Sequence, residues 1–392
     1  MSTQKESTES AAYAALGASS AKGGVLKAVG EHATSRYFAT PIADPFGDPS
    51  KVFFLHADGA GTKSIVAYLL FKETGDARWF RSLAIDSLVM NLDDISCSGA
   101  LEGLVLSNTI GRNRHLIPDE AIAEIIKGYG ECATTLASFG ISVSLSGGET
   151  ADMGDLVRTL VVDSTLSARI PQEALVDTYT VRPGDAIVAF SGCGQAAWEQ
   201  TPNSGMGSNG LTLARNVLLS RWHIERYPEV GDPAITAEHA YRGPYRVTDV
   251  LPELGTSVGA ALLSPTRSYA PLIKSILGEF RSAVHSLIHC TGGGQVKIKR
   301  FGRGVRFEKS DLFPTPPLFE LIQRHGAIPW AEMYSVFNMG HRLEACVDPA
   351  AAMEIISLAA QFGIAAKIIG KVSSSEGENE VIIRSPYGEF RY

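Results

Sequence analysis

Three aspartates, Asp86, Asp93 and Asp94, fall in one stretch whose apolar residues repeat with helical spacing. Asp86 and Asp93 are seven residues apart, so they project almost the same way from a helix turning about 100° per residue. Asp94 lies on the adjoining face, and Leu88, Leu92 and Ile95 lie opposite, where they can meet a core. A solvated acidic face is the ordinary reading of such a pattern. Here, however, Met90 and Cys97 share the acidic face, and no lysine or arginine occurs between Ala84 and Ser98. Close carboxylates without counter-charge repel one another unless a cation joins them. Hard oxygen ligands suit Mg²⁺, which is held by one or two carboxylates together with substrate phosphates.

Two glycine-and-acid segments add anion chemistry. Asp58-Gly59-Ala60-Gly61-Thr62-Lys63 follows the apolar run Val52-Phe53-Phe54-Leu55, so the acid stands at a strand end. Gly59 and Gly61 let the backbone approach phosphate oxygens, Thr62 offers a hydroxyl and Lys63 a cation. Alone, the segment fits a structural turn as well as a phosphate cradle. It is neither a Walker sequence nor a dinucleotide fingerprint. Gly147-Gly148-Glu149-Thr150-Ala151-Asp152 is the second such segment, predicted as a loop after the alternating strand Ile141, Val143, Leu145. In the second half, Gly205 to Gly210 precedes a helix, where N–H groups favour anions or an ordinary Ser/Asn cap. Arg267 at a turn suits phosphate or a plain surface position. His289 opens a third glycine turn, and Phe337 to Arg342 forms a loop whose chemistry the residues alone do not declare. No nucleophile elbow or Cys–His signature occurs.

The elements that must position these residues follow from the patterning. Helices are predicted over 64–74, 84–98, 118–140, 211–219 and 269–280. Strands are predicted over 52–55, 141–145, 156–167, 186–190 and 364–372. A last helix should be capped by Asp348, started by Pro349 and stopped by Gly363. Residues 225–255 read as an insertion. Pro171, Pro183 and Gly184 mark a boundary, giving an N-terminal arm over 1–50, a domain over 51–170 and a second over 181–375, each mixed α/β. Lys22 and Lys27 close the arm, a frayed terminus by default and a possible cover for phosphates.

Composition excludes several classes. The net charge of −7 argues against a nucleic-acid binder. Five scattered cysteines without C-x-x-C spacing fit a reducing cytoplasm rather than a disulfide or zinc framework. No apolar run has the length of a signal peptide core or a membrane span.

Taken together, the motifs resemble the phosphoribosylformylglycinamidine cyclo-ligase (aminoimidazole ribonucleotide synthetase) family, from about Val52 to Val372. Asp58 to Lys63 is similar to the family's D-G-V-G-T-K. Ile85 to Asp94 is similar to I-D-x-V-x-M-x-x-N-D, with Asp93 where the family usually has Asn. Gly147 to Met153 resembles G-G-E-T-A-E-M. Ser208-Asn209-Gly210, Leu263 to Arg267, His289 to Gly294, and Glu332-Met333-Tyr334 with Phe337 to Gly340 follow in the family's order. The resemblance implies two α/β domains and a homodimer whose N-terminal strands form a shared barrel. It also implies ATP and Mg²⁺ in the first domain and a ribonucleotide substrate closed to an aminoimidazole. On this basis Asp58, Asp86, Asp93, Asp94 and Glu149 are expected at the metal. Gly59, Gly61, Thr62, Lys63, Gly147, Gly148 and Thr150 are expected on the nucleotide. Ser208, Asn209, Gly210, Arg267, His289 and Thr291 are expected on the substrate, with Asp94, Lys63 and His289 in the chemistry.

Three departures concentrate in the second half. The family's P-H-S-N-G becomes Met206-Gly207-Ser208-Asn209-Gly210, so one histidine is missing, and His56 or His341 is the candidate substitute. Gln295-Val296-Lys297 replaces the usual polar pair and proline. His341-Arg342-Leu343-Glu344 replaces a small G-x-G pattern. Two alternatives follow: a related kinase or synthetase of the same superfamily, and a nucleotide-binding protein without catalysis. The first is opposed by the H-x-T-G-G-G and F-N-M-G motifs, which a kinase should lack, and by the absence of a cysteine before Val52.

Overall fold

The computed structural model describes residues 11–18 and 36–392. Lys22 and Lys27 lie outside the described residues. The chain forms two mixed α/β domains. The first is built on a five-stranded sheet in the spatial order Ile42–Ala43, Lys51–Gly59, Leu160–Pro171, Leu104–Arg112, Val143–Asp152. Only the last pair runs parallel. Strict alternation decides its faces: Leu160, Val162, Leu166, Ala168 and Ile170 are buried beneath the helices, while Val161 and Asp163 point away. Helices Arg81–Ser96 and Asp119–Ser138 cover the buried face.

The second domain is built on seven strands in the order Val284–His289, His341–Val347, Ala186–Ser191, Ala366–Ser374, Val305–Lys309, Glu380–Ser385, Gly388–Arg391. The first three strands of this order are buried along their whole length, the edge strand Val284–His289 included, so this end of the sheet is covered on both faces. Helices Ala270–Phe280 and Ala352–Gln361 pack against each other beside this sheet.

Several expectations need correction. The segment from Gly147 to Asp152 is strand, not loop, because Val143–Asp152 pairs with Leu104–Arg112 throughout. Gly148 is required there, since a Cβ would stand 2.2 Å from the Asn108 carbonyl oxygen. Strand Lys51–Gly59 carries Asp58 and Gly59 in its last turns of pleat, so the loop begins at Ala60. Asp348 caps only a turn, its carboxylate accepting from the Ala350 N–H at 3.0 Å, and the helix starts at Ala352. The second sheet runs on past residue 375 to Arg391. Within this chain the first sheet is an open layer, and among the described residues no closed barrel forms.

The 225–255 segment clamps the first domain. Tyr227 and Arg246 both bond Glu73, and Glu229 accepts from Tyr68, both on helix Lys63–Thr74. Residues 11–18 rest on the second domain, where the Ala12 and Tyr13 N–H groups donate to Glu332 at 3.1 and 3.3 Å. Among the described residues no helix is long and apolar enough to cross a membrane.

Candidate active site

Helix Arg81–Ser96 turns its acids toward the second domain. Asp86 is buried, and its Oδ1 accepts from Lys63 Nζ at 2.7 Å. The same oxygen accepts from Thr266 N at 2.8 Å, Thr266 Oγ1 at 2.6 Å and Ser208 Oγ at 3.1 Å. Lys63 also donates to the Ser264 carbonyl at 2.5 Å. Burial pushes the Lys63 ammonium below the ordinary lysine value, and Asp86 opposes that shift. This cluster therefore joins the two domains. Counter-charge reaches the acid helix from other elements, which its own sequence cannot reveal.

Asp93 and Asp94 face the glycine turn that follows strand Val284–His289. Asp93 accepts from Ser268 Oγ at 2.7 Å and from Tyr269 N at 2.9 Å. Burial nevertheless raises its carboxyl to about 7, outweighing those bonds and the charge of Arg342. Asp94 Oδ1 lies 2.7 Å from His289 Nδ1. Burial alone would raise Asp94, but Lys297, the His289 hydrogen bond and His56 together bring it to about 2. Arg342 Nη2 lies 2.5 Å from His289 Nε2. A guanidinium only donates, so His289 Nε2 accepts and Nδ1 carries the proton given to Asp94. Burial and then Arg342 lower His289 to about 4, so the ring is neutral at neutral pH.

Asp58 and His56 border the same cleft from the strand Lys51–Gly59. His56 Nε2 lies 3.7 Å from Asp94 Oδ2, and its Nδ1 is 2.9 Å from Asn91 Oδ1. The Asn91 amide in turn donates to the Asp58, Ser87 and Ser164 carbonyls, pinning strand to helix. Burial raises the Asp58 carboxyl, and the neighbouring Asp94 charge adds to the effect. Gly59 has no room for a Cβ, which would stand 2.7 Å from the Val162 carbonyl oxygen. Gly61 needs its φ of +56° for the turn. Thr62 bridges the domains through Thr212, hydroxyl to hydroxyl at 3.0 Å.

The second glycine segment stands apart from this cleft. Register places Asp58 opposite Ser164, Ser164 opposite Asn108, and Asn108 opposite Gly148. Three strand spacings separate the ends of that row, about 14 Å. Gly147, Gly148, Glu149 and Thr150 are all exposed on the edge strand.

Of the second-domain residues, Ser208 joins the Asp86 cluster, and Thr291 is buried in the glycine turn two residues after His289. Gly210, at φ +74°, starts helix Leu211–Leu218, and the Asn209 amide reaches toward Gly292. Thr291 Oγ1 accepts from Lys297. Arg267 does not present itself to a ligand. All five of its N–H groups are engaged, on both Glu199 oxygens and on the Ser191, Cys193 and Gly194 carbonyls. It organises the loop 191–199, whose distance in sequence hid that role.

Of the two substitute histidines, His56 joins the acid cleft and His341 does not. His341 Nε2 pairs with Glu344 at 2.7 Å inside a separate buried network with Lys309 and Gln295. Cys290, His341 and Glu344 bring one ligand atom each within 4.8 Å. The Lys309 ammonium, 2.5 Å from Glu344, already supplies the cation there. Sequence reasoning missed Lys309, Glu344 and Thr266 as partners. Lys297 and Arg342 carried one signal only, their place among the departures.

Residues 43–169 match the family described as AIR synthase related protein, N-terminal domain, and residues 182–383 match its C-terminal domain. A protein of Methanocaldococcus jannaschii named phosphoribosylformylglycinamidine cyclo-ligase is 30% identical over 330 residues, covering 84% of this chain and 80% of its own. A protein of the same name from Thermococcus gammatolerans is 31% identical over 294 residues, covering 74% and 71%. Among solved structures, T. maritima PurL complexed with FGAR superposes with a TM-score of 0.53 at 16% identity over 92% of this chain. This chain spans 47% of that one, about half its length. With matches across both halves, the chain belongs to the AIR synthase related protein family.

Proposed function

We propose that the chain catalyses the ATP-dependent closure of formylglycinamidine ribonucleotide to aminoimidazole ribonucleotide, with ADP and phosphate as further products, in cytoplasmic purine biosynthesis. One observation carries the reading in a chain of this family: the Asp94–His289 contact at 2.7 Å, which joins the acid helix to the glycine turn in one cleft. The names of the relatives support the substrate and the reaction. The five cysteines, all free, support a reducing compartment.

The chemistry accounts for the residues. A formyl-amide oxygen leaves poorly. Its attack on the γ-phosphorus breaks the bond to ADP and gives an imino-phosphate. An amidine nitrogen then bonds to the formyl carbon, and phosphate departs with the formyl oxygen. The protein orients and neutralises charge, and it needs no covalent nucleophile. Asp58 and Asp94 fit a hard divalent cation: they repel each other across the cleft and offer carboxylate oxygens. When bound, Mg²⁺ supplies positive charge to the transferring phosphates. Asp93 stands behind Asp94, held by Ser268 and Tyr269. His289 holds Asp94 in place through its Nδ1 proton. Lys63 and Asp86 set the angle of the two domains. Thr62 and Gly61 border the phosphates, and the exposed edge residues Gly147 to Thr150 reach the far end of the nucleotide. The open face of the first sheet supports a homodimer that closes it against a second copy.

The test is turnover. The pure protein with ATP, Mg²⁺ and formylglycinamidine ribonucleotide should release ADP and a diazotisable aminoimidazole in equal amounts. ATP binding with neither product would leave a non-catalytic nucleotide-binding protein.

A further inference from the structure

Two of the sequence departures meet in space. Gly207 stands where the family carries a histidine, and Arg342 where it carries a small residue. A Cβ on Gly207 would lie 2.9 Å from Arg342 Nε and 3.2 Å from Cζ. The side chain absent at 207 is thus the room taken by the side chain present at 342.

Arg342 is only 2% exposed. Buried cations elsewhere hold a carboxylate: Lys63 has Asp86, Arg112 has Asp119 and Asp152, Arg267 has Glu199, and Lys309 has Glu344. Arg215 differs, lying over the Tyr241 ring. Arg342 feels the charge of Asp93 but touches no carboxylate. Its bonds go to neutral acceptors, the Arg267 carbonyl at 3.4 Å and His289 Nε2 at 2.5 Å. Among the described residues no carboxylate oxygen comes within 4.0 Å of its nitrogens. A buried guanidinium in contact with no carboxylate, and with N–H groups unused, is suited to receive an anion. Lys297, at another departure, adds positive charge beside Asp94. Ser208 and Asn209, next in sequence to Gly207, are only half-buried.

We propose that Arg342, seated in the room that Gly207 leaves, binds a phosphoryl group in the acceptor half of the cleft. A planar guanidinium with N–H groups to spare takes two phosphoryl oxygens at once. The group has two sources, the ribonucleotide's own phosphate or the phosphoryl in transit from ATP. The inference rests on the proposed function only for the second source.

The test compares wild type, Arg342→Gln and Arg342→Lys in calorimetric titrations with Mg²⁺ present. One arm titrates ribose 5-phosphate. The other titrates ADP with fluoroaluminate, and ADP alone is its control. Wild type should bind the probe of at least one arm. Arg342→Gln should weaken that arm by at least about tenfold with ADP binding unchanged, and Arg342→Lys by less. The arm that weakens names the source. Equal binding by wild type and Arg342→Gln in both arms overturns the proposal, as does a wild type that binds neither probe. If Arg342→Gln fails to fold, Arg342→Lys decides, weakened binding supporting the proposal and wild-type binding overturning it. Neither arm needs turnover. A wild type that binds ribose 5-phosphate through Arg342 yet forms no aminoimidazole removes the ligase and keeps the anion site.

Discussion

Lys63 and Asp86 neutralise each other in a fully buried contact across the domain junction. Removing one partner strands the other charge, so Lys63→Met should cost about 3–5 kcal/mol in urea unfolding. The double variant Lys63→Met with Asp86→Leu should recover much of that loss. Titration gives a second prediction at this scale. His289 stands at about 4 in the fold against an ordinary 6.5, so the unfolded chain takes up this proton first. Its contribution is whole above pH 6.5 and is lost as pH falls toward 4. Asp93, raised from 3.8 to about 7, runs the other way: its contribution is present below 3.8 and lost as pH rises through 7. Asp93→Asn, which restores the family's residue, should therefore gain on wild type as pH rises, by at most about 1.4 kcal/mol per pH unit. Denaturant midpoints between about pH 4 and about pH 8 check this, and parallel curves for the two proteins would contradict it. At the residue scale the acids were legible from spacing and from the apolar neighbours that share their face. Their partners were not. Lys63, Thr266, His289 and Arg342 come from segments far away in sequence, and nothing local encodes such contacts.

Glycine positions decide the elements around the cleft. Gly294, at φ +51°, leaves no room for a Cβ, which would meet the Phe337 carbonyl oxygen at 2.5 Å and that of Tyr334 at 2.6 Å. Gly292 is open, with the Asn209 amide 3.9 Å away. Gly294→Ala should destabilise by about 1–3 kcal/mol and displace the turn that carries Thr291. Gly292→Ala should melt within a degree or so of wild type. Thermal melts of the two separate these outcomes, and equal melting would remove the packing argument. The helix bearing the acids was legible because its apolar periodicity is a local signal. The strand Leu104–Arg112 was not predicted, since its apolar start Leu104-Val105-Leu106 gives way to the polar stretch Ser107-Asn108-Thr109. The strand Val143–Asp152 was cut short for a related reason. Its glycines read as a loop, whereas they are needed for close approach to Asn108.

At the scale of the molecule, the first sheet leaves one face uncovered. Leu55 is 67% exposed, Val105 41% and Val161 38%, on a face otherwise made largely of hydroxyl side chains. Such a surface calls for a partner. Sedimentation should show a homodimer, and Leu55→Arg with Val105→Asp should shift it to monomer with the fold kept. The two-domain plan was legible in the sequence, from mixed patterning on either side of Pro171 and Pro183. A chain-to-chain barrel was expected from resemblance alone, because register between copies leaves no mark in one sequence. The ring-closing account makes its sharpest claim about a single atom, the formyl oxygen. Substrate labelled with ¹⁸O at the formyl group should yield aminoimidazole together with inorganic phosphate that carries the label. Aminoimidazole accompanied by unlabelled phosphate would contradict the account.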